Sequence, residues 1–150
     1  MISVVIPTLN NRELLRGCLD SLLSQRRRAD EILVIDNGSK DGTGEMVRRE
    51  FAGRARLFSE PRTGVHHARN RGIAEASGDI IAFTDDDVLL PSGWLEALAG
   101  CFEDPGVAGA GGPTRPVWPP GQTLPSALRS RRGLSLLGIV DFGPVRKPLD

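Results

Sequence analysis

Residues 78–87 read Gly78-Asp79-Ile80-Ile81-Ala82-Phe83-Thr84-Asp85-Asp86-Asp87, so that a short apolar run leads directly into three carboxylates. The apolar run predicts a buried strand of a parallel sheet, because such strands are hydrophobic on both faces. Open α/β sheets bind their ligands at the carboxyl ends of these strands. Side chains alternate along an extended chain, and we therefore expect Asp85 and Asp87 to face one site and Asp86 to point away from it.

Three adjacent carboxylates repel one another unless a cation lies among them. A hard divalent cation, bound by one or two carboxylates and by the phosphates of a substrate, is the usual arrangement at such a cluster. The stretch therefore predicts a metal and phosphate site. A solvated acidic turn ahead of a helix is the alternative interpretation.

Strand and helix patterns alternate on both sides of this stretch. Apolar, β-branched runs predict strands at 2–7, 31–36, 56–58, 80–83 and, rich in glycine, 107–112. Periodic apolar residues predict helices from an Asn10/Glu13 capping box to about residue 25, at 43–51, at 64–76 and from a Ser92 cap onward. The third of these helices is expected to bury one face, which carries Val65, Ala68, Gly72 and Ile73. The order predicts an α/β fold with a mostly parallel sheet flanked by helices.

Composition divides the chain near residue 113. The 150 residues suit one domain, and their net formal charge of zero gives no indication of a nucleic-acid or membrane partner. Seven of the eleven prolines and six of the nineteen basic residues lie in 113–150. We therefore predict an α/β domain over 1–112, followed by an extended Pro/Arg-rich segment over 113–150.

The two cysteines, Cys18 and Cys101, have no CxxC partner and no histidine at metal-binding spacing. They are interpreted as free thiols in a reducing compartment. No apolar run approaches the roughly 20 residues that a transmembrane helix needs. The predicted location is the cytoplasm, with peripheral attachment to the inner face of the membrane as an alternative.

Two further stretches carry candidate binding residues. Asp36 ends a strand, where dinucleotide-binding folds place an acid on the ribose. The turn after the first strand contains no GxGxxG, so a pyrophosphate would have to be held by a metal instead of by backbone amides. Arg69 is a candidate phosphate contact, because a guanidinium matches the geometry of phosphate oxygens. The alternatives are a turn-forming aspartate and a solvated surface arginine.

These motifs, taken in order, resemble the family 2 glycosyltransferases of the GT-A fold. The resemblance rests on the ordered set Val4-Val5-Ile6-Pro7-Thr8, Ile35 to Thr43, Gly64 with Ala68-Arg69-Asn70, and Gly78-Asp79 with Asp85-Asp86-Asp87. It covers about residues 1–112.

The resemblance implies a nucleotide-diphosphate sugar as donor, Mg²⁺ or Mn²⁺ as cofactor, and inversion at the anomeric carbon by direct displacement. The metal would be bound by Asp87 and Asp85. The donor nucleotide would be bound by Pro7, Thr8, Asn10, Asp36, Asn37, Arg69, Asp85 and Asp86. The acceptor, which could be a glycan, a lipid or a small molecule, is not indicated.

No catalytic base is assigned. In the family the base lies in an acceptor half, and we expect it beyond Asp150, because the only acids after residue 112 are Asp141 and Asp150. Two alternatives follow. One is a nucleotide-sugar-binding fragment or subunit without catalysis. The other is a haloacid-dehalogenase-type phosphatase, with Asp85 as nucleophile and Asp87 as acid/base.

Overall fold

The computed structural model describes residues 1–118, 121–122 and 125–126. Its eight elements alternate along one compact unit, Met1–Glu103. They are β1 (Ile2–Thr8), α1 (Arg12–Leu23), β2 (Glu31–Asp36), α2 (Thr43–Glu50), β3 (Arg56–Ser59), α3 (Val65–Glu75), β4 (Ile80–Phe83) and α4 (Trp94–Cys101). The predicted α/β fold with a parallel sheet is confirmed.

The sheet has the order β3-β2-β1-β4, and every pairing in it is parallel. All seven residues of β1 are buried, since the strand lies inside the sheet with helices on both faces. The apolar run of β2 is buried in the same way. β1 is therefore an interior strand, with β2 on one side and β4 on the other.

Side chains of alternate parity enter two separate cores. Val4 and Ile6 of β1 join Leu15 and Leu19 of α1 in the larger core, which also includes apolar residues of α2 and α4. Val5 of β1 faces the opposite way, into a smaller core. Period-two alternation along one strand thus serves two layers of helices.

Helix α3 covers the smaller core with a narrow face. Ala68 and Gly72 are buried, as predicted, but Val65 and Ile73 are about half exposed, so the predicted inner face was too wide. A Cβ on Gly72 would lie 2.2 Å from Cγ1 of Val5, which shows how closely the helix backbone approaches the sheet.

Other local predictions were wrong. Asn10 has a φ of 55° and does not cap α1; Asn11 is the N-cap residue and its side chain makes no capping bond. Helix α4 is preceded by Gly93, not by Ser92. Residues 107–112 do not form the predicted fifth strand. Three of those six residues are glycines, which have no side chain to pack on a sheet.

Within 104–118, 121–122 and 125–126 no α-helix or β-strand is present. Asp141, Asp150 and most of the segment 113–150 lie outside the described residues. Among the described residues, no helix combines the length and apolar character needed to cross a bilayer.

Candidate functional site

The carboxyl ends of β1, β2 and β4 lie at one edge of the sheet. Thr8 at the end of β1 is the register partner of Asp36 at the end of β2, and the Asn37 amide donates to the Thr8 carbonyl at 2.9 Å. On the other side of β1, Val5 is the partner of Phe83, the last residue of β4. Both acid-ended strands therefore open at the same edge of the sheet.

The order of the strands reverses at this edge. The chain moves from β1 to β2 and β3 in one direction, and then places β4 on the far side of β1. Ligands of open α/β sheets bind in the crevice at such a switch point. The residues after β4 and after β1 flank this crevice.

Residues 84–90, called the acidic loop below, hold the three carboxylates in two environments. Asp86 is buried, with 7% of its surface exposed. Its Oδ2 accepts a hydrogen bond from Oγ1 of Thr8 at 2.6 Å, and its Oδ1 accepts one from Nδ2 of Asn11 at 3.1 Å. Asp85 and Asp87 are exposed. Asp86 is turned inward, as predicted, although Asp86 and Asp87 lie in a turn and not on an extended chain.

Arg69 reaches the acidic loop from α3. Its Nη2 donates to Oδ1 of Asp85 at 2.9 Å, and both side chains remain about half exposed. No described residue donates a hydrogen bond to the carboxylate of Asp87. As far as the structure describes the chain, this edge presents the unbonded carboxylate of Asp87, the Asp85 carboxylate paired with Arg69, and the remaining N–H donors of Arg69.

Asp36 and Asn37 lie at the end of β2 and differ in how much of their hydrogen-bonding capacity the fold uses. Oδ1 of Asp36 accepts the backbone N–H of Ser39 at 2.8 Å, and its other oxygen accepts no hydrogen bond from a described residue. Nδ2 of Asn37 donates to the carbonyls of Glu60 and Arg62 at 2.8 and 2.7 Å. Oδ1 of Asn37 accepts from the Gly64 amide at 2.9 Å. Asn37 thus fastens the connection between β3 and α3.

Glu60 lies in that connection and forms a bidentate pair with Arg62. Nε and Nη2 of Arg62 contact the two carboxylate oxygens at 2.9 Å each, and the Arg62 amide donates to the same carboxylate. The guanidinium of Arg62 lowers the pKa of the Glu60 carboxyl to about 2, with the hydrogen bond from the Arg62 amide as the next cause. The Glu60–Arg62 pair therefore stabilises the connection between β3 and α3 from within.

Pro7 and Asn10 belong to the wall of the same edge. Pro7 is buried in β1 opposite Ile35. Oδ1 of Asn10 accepts the Lys40 amide at 2.7 Å, and the amide of Asn10 donates to Oγ of Ser39 at 2.9 Å. Asn10 therefore joins the turn after β1 to the turn after β2.

Helix α1 supports the acidic loop through polar side chains that the sequence reading missed. Sγ of Cys18 lies 3.5 Å from the Asp85 carbonyl, and Oγ of Ser21 accepts the Leu90 amide at 3.1 Å. Just after the helix, the buried Gln25 donates to the Pro91 carbonyl at 2.8 Å and accepts the Leu95 amide at 3.2 Å. A signal was present, because the polar Ser21 lies in the last turn of the helix next to the buried Leu22, and Gln25 follows four residues later.

The thiol of Cys18 lies beneath the acidic loop in neutral form. Burial raises its pKa to about 12, and the charges of Asp86 and Asp87 act in the same direction. The loop therefore has a neutral support below it, which adds no further negative charge to the three carboxylates.

Comparison with known proteins identifies the family. The profile of Glycosyl transferase family 2 matches residues 3–132. The chain belongs to this family. Its parallel sheet and flanking helices are the GT-A fold of glycosyltransferases of known structure, which confirms the predicted fold class. Family membership favours the glycosyltransferase interpretation over the phosphatase interpretation.

Several relatives cover this family 2 chain for most of its length. Glycosyltransferase AglE of Haloferax volcanii is 36% identical over 127 residues, which are 81% of this chain and 42% of that protein. Mannosyltransferase PcManGT from Pyrobaculum calidifontis, solved in complex with GDP-Man and Mn²⁺, superposes with a TM-score of 0.66 at 34% identity. That superposition covers 71% of this chain and 33% of PcManGT.

A second solved relative also contains a metal and a nucleotide. Glucosyl-3-phosphoglycerate synthase from Mycobacterium tuberculosis, solved with Mn²⁺, UDP and glucosyl-3-phosphoglycerate, has a TM-score of 0.58 at 31% identity. The match covers 68% of this chain and 39% of the synthase. This family 2 chain therefore spans less than half the length of each of these three relatives.

Proposed function

We propose that these 150 residues form the donor-binding part of a metal-dependent family 2 glycosyltransferase, which transfers a sugar from a nucleotide-diphosphate sugar to an acceptor. The observation that carries the proposal is the placement of two exposed carboxylates and one arginine at the switch point of the sheet. Relatives solved with GDP-Man and Mn²⁺, or with UDP and Mn²⁺, support the same ligand class.

The donor set fits a hard divalent cation such as Mg²⁺ or Mn²⁺. Among the described residues no three His, Cys, Asp or Glu side chains group as a complete metal site. A complete site is not required, because such cations commonly take one or two carboxylates and complete their coordination with substrate phosphates and water. Asp87 would be the principal ligand and Asp85 the second. When bound, the metal neutralises negative charge on the diphosphate leaving group.

The remaining residues of the edge would bind and orient the nucleotide. Arg69 has guanidinium donors beyond the one that Asp85 uses, and these suit a phosphate oxygen. One carboxylate oxygen of Asp36 accepts no hydrogen bond from the described part of the chain, and it suits a ribose hydroxyl or a base N–H. Thr8 lies on β1 beside Asp36, and Pro7 and Asn10 would form the wall next to it.

Asn37 belongs to the proposed nucleotide site through the loop that it holds. Its hydrogen bonds to the Glu60–Gly64 connection fix the start of α3, which carries Arg69 toward the phosphates. We propose that transfer inverts the anomeric carbon by direct displacement, with a catalytic base on the acceptor side, outside the described residues.

Titration calorimetry tests the donor site. The chain is titrated with UDP, GDP and dTDP, each with Mn²⁺, with Mg²⁺ and without metal, and then compared with Asp87→Ala. We expect metal-dependent binding of at least one nucleotide, weakened by about 100-fold or more in the variant. Asp20→Ala, an exposed acid on α1, is the matched control and should bind like the parent. Equal affinity of the parent and Asp87→Ala for all three nucleotides would refute the site.

Binding of the donor without transfer of the sugar is the second candidate function, because no catalytic base is assigned among the described residues. A donor-hydrolysis assay on the nucleotide that binds most tightly separates the two. Release of free sugar that depends on Mn²⁺ and on Asp87 indicates catalysis by these residues. Tight nucleotide binding without release indicates a binding part that acts with further residues.

A further inference from the structure

Asp86 is the carboxylate of the acidic loop that faces the protein. Its two oxygens accept hydrogen bonds from Thr8 and Asn11, and little of its surface reaches solvent. A buried carboxylate is tolerated only where hydrogen bonds or charges compensate for its lost hydration. These two bonds therefore hold Asp86 in one place.

The positions on either side of Asp86 depend on this attachment. Asp85 and Asp87 are its immediate neighbours, and both are exposed at the switch point. Because both are joined directly to Asp86 through the backbone, a shift of Asp86 would move them as well. The other supports of the loop from the α1 side, Cys18, Ser21 and Gln25, contact backbone atoms of Asp85 and Leu90, and none of them bonds Asp87.

We infer that Asp86 is a positioning residue, which fixes the acidic loop through Thr8 and Asn11 and thereby joins the nucleoside side of the site to its cation side. The inference rests on the proposed function for the identity of the ligands. The inference itself is that Asp86 holds the acidic loop in position through hydrogen bonds, and that it is neither a metal ligand nor a required negative charge.

Thr8 makes the two sides interdependent. It lies on β1 next to Asp36, where the nucleoside is proposed to bind, and its hydroxyl is bonded to the residue that precedes the proposed metal ligand. A change in the Thr8–Asp86 contact should therefore alter affinity for the nucleotide and for the cation together.

Three variants separate position from charge. Asp86→Ala removes both hydrogen bonds. Asp86→Asn keeps the shape and removes the charge, since its amide oxygen can accept from Asn11 while its NH₂ donates to a rotated Thr8 hydroxyl. Asn11→Ala removes one bond only and spares helix capping, because the Asn11 side chain makes no capping bond. Asp20→Asn serves as the control for loss of charge.

The first readout is binding of Mn²⁺ alone and of UDP and GDP with Mn²⁺. We expect affinities about 10- to 100-fold weaker in Asp86→Ala, and about three- to tenfold weaker in Asn11→Ala. Asp86→Asn should recover most of the loss seen in Asp86→Ala. If Asp86→Asn binds Mn²⁺ as poorly as Asp86→Ala, the carboxylate acts as a ligand or a charge, and the inference is wrong.

The second readout needs no ligand. Amide hydrogen exchange is measured at Thr84, which donates to the Val5 carbonyl, and at Leu90, which donates to Ser21. Asp86→Ala should speed exchange at both by about tenfold, Asp86→Asn should not, and Ala76 at the end of α3 is the internal control. Unchanged exchange at Thr84 and Leu90 in Asp86→Ala would overturn the inference. Failure of the parent to bind either nucleotide would instead refute the proposed function, and exchange would still decide the role of Asp86.

Discussion

The two halves of the carboxyl edge use similar polar residues differently. Beside β4, Asp85 and Asp87 are exposed and make no hydrogen bond to the backbone of a described residue. Beside β2 and β3, the Asn37 side chain bonds three nearby backbone groups, and the Glu60 carboxylate bonds the backbone N–H and the guanidinium of Arg62. A polar residue at a strand end can bind a ligand only with the capacity that the fold leaves free.

The largest expected effect is on stability, in the half of the edge beside β2 and β3, where polar side chains are already bonded within the fold. Asn37→Asp replaces two N–H donors by an oxygen that repels the carbonyls of Glu60 and Arg62. We expect the free energy of unfolding to fall by about 2–3 kcal/mol, measured by urea denaturation. The same change at exposed Asn70 should cost less than about 0.5 kcal/mol. Normal stability with lost nucleotide affinity would instead make Asn37 a direct ligand contact.

The next effect is on nucleotide affinity, in the half of the edge beside β4. Arg69→Ala removes an exposed ion pair, so the free energy of unfolding should change by less than about 1 kcal/mol. Affinity for a nucleoside diphosphate with Mn²⁺ should fall by about tenfold, because a phosphate loses a guanidinium partner. Calorimetry and thermal unfolding on the same sample measure both quantities. A loss of stability without a change in affinity would show that Arg69, like Asn37, supports the fold and does not contact the ligand.

The smallest effect is a dependence on pH. Arg62 lowers the pKa of Glu60 from 4.5 to about 2 in the folded chain. A lowered carboxyl pKa stabilises the fold fully above about pH 4.5, and this stabilisation is lost as the pH falls toward 2. Glu60→Gln should therefore be less stable than the parent near pH 7, and the difference should vanish near pH 2.

Denaturation at several pH values, with Glu45→Gln as the control at an exposed acid, measures this difference. A gap between the parent and Glu60→Gln that stays constant from pH 7 to pH 2 would show that the ion pair with Arg62 does not contribute through charge.

The sequence predicted the parts of the fold that depend on local patterns. Four strands and four helices follow from apolar runs and helical periodicity, and the shared edge of Asp36 and Asp85–Asp87 follows from parallel pairing. The glycine-rich stretch 107–112 misled, because a short run of small residues resembles a strand without supplying side chains to pack.

Side-chain partners distant in the chain could not be predicted. Thr8 and Asp86 are 78 residues apart, and Gln25 and Pro91 are 66 apart. Which polar groups meet across such separations depends on the register of β1 with β4 and on the depth at which α1 packs. The sequence therefore indicated which residues lie at the edge, and not which of them are already engaged by the fold.

The two residues that flank helix α1 both contact the acidic loop, Asn11 through the carboxylate of Asp86 and Gln25 through the Leu90 carbonyl. The buried side chains of Leu15, Leu19 and Leu22 set the position of helix α1 against the sheet. Mutant libraries aimed at new donor preferences should therefore include these leucines as well as the mouth of the crevice. A methyl group added or removed behind the helix would shift the loop in front of it.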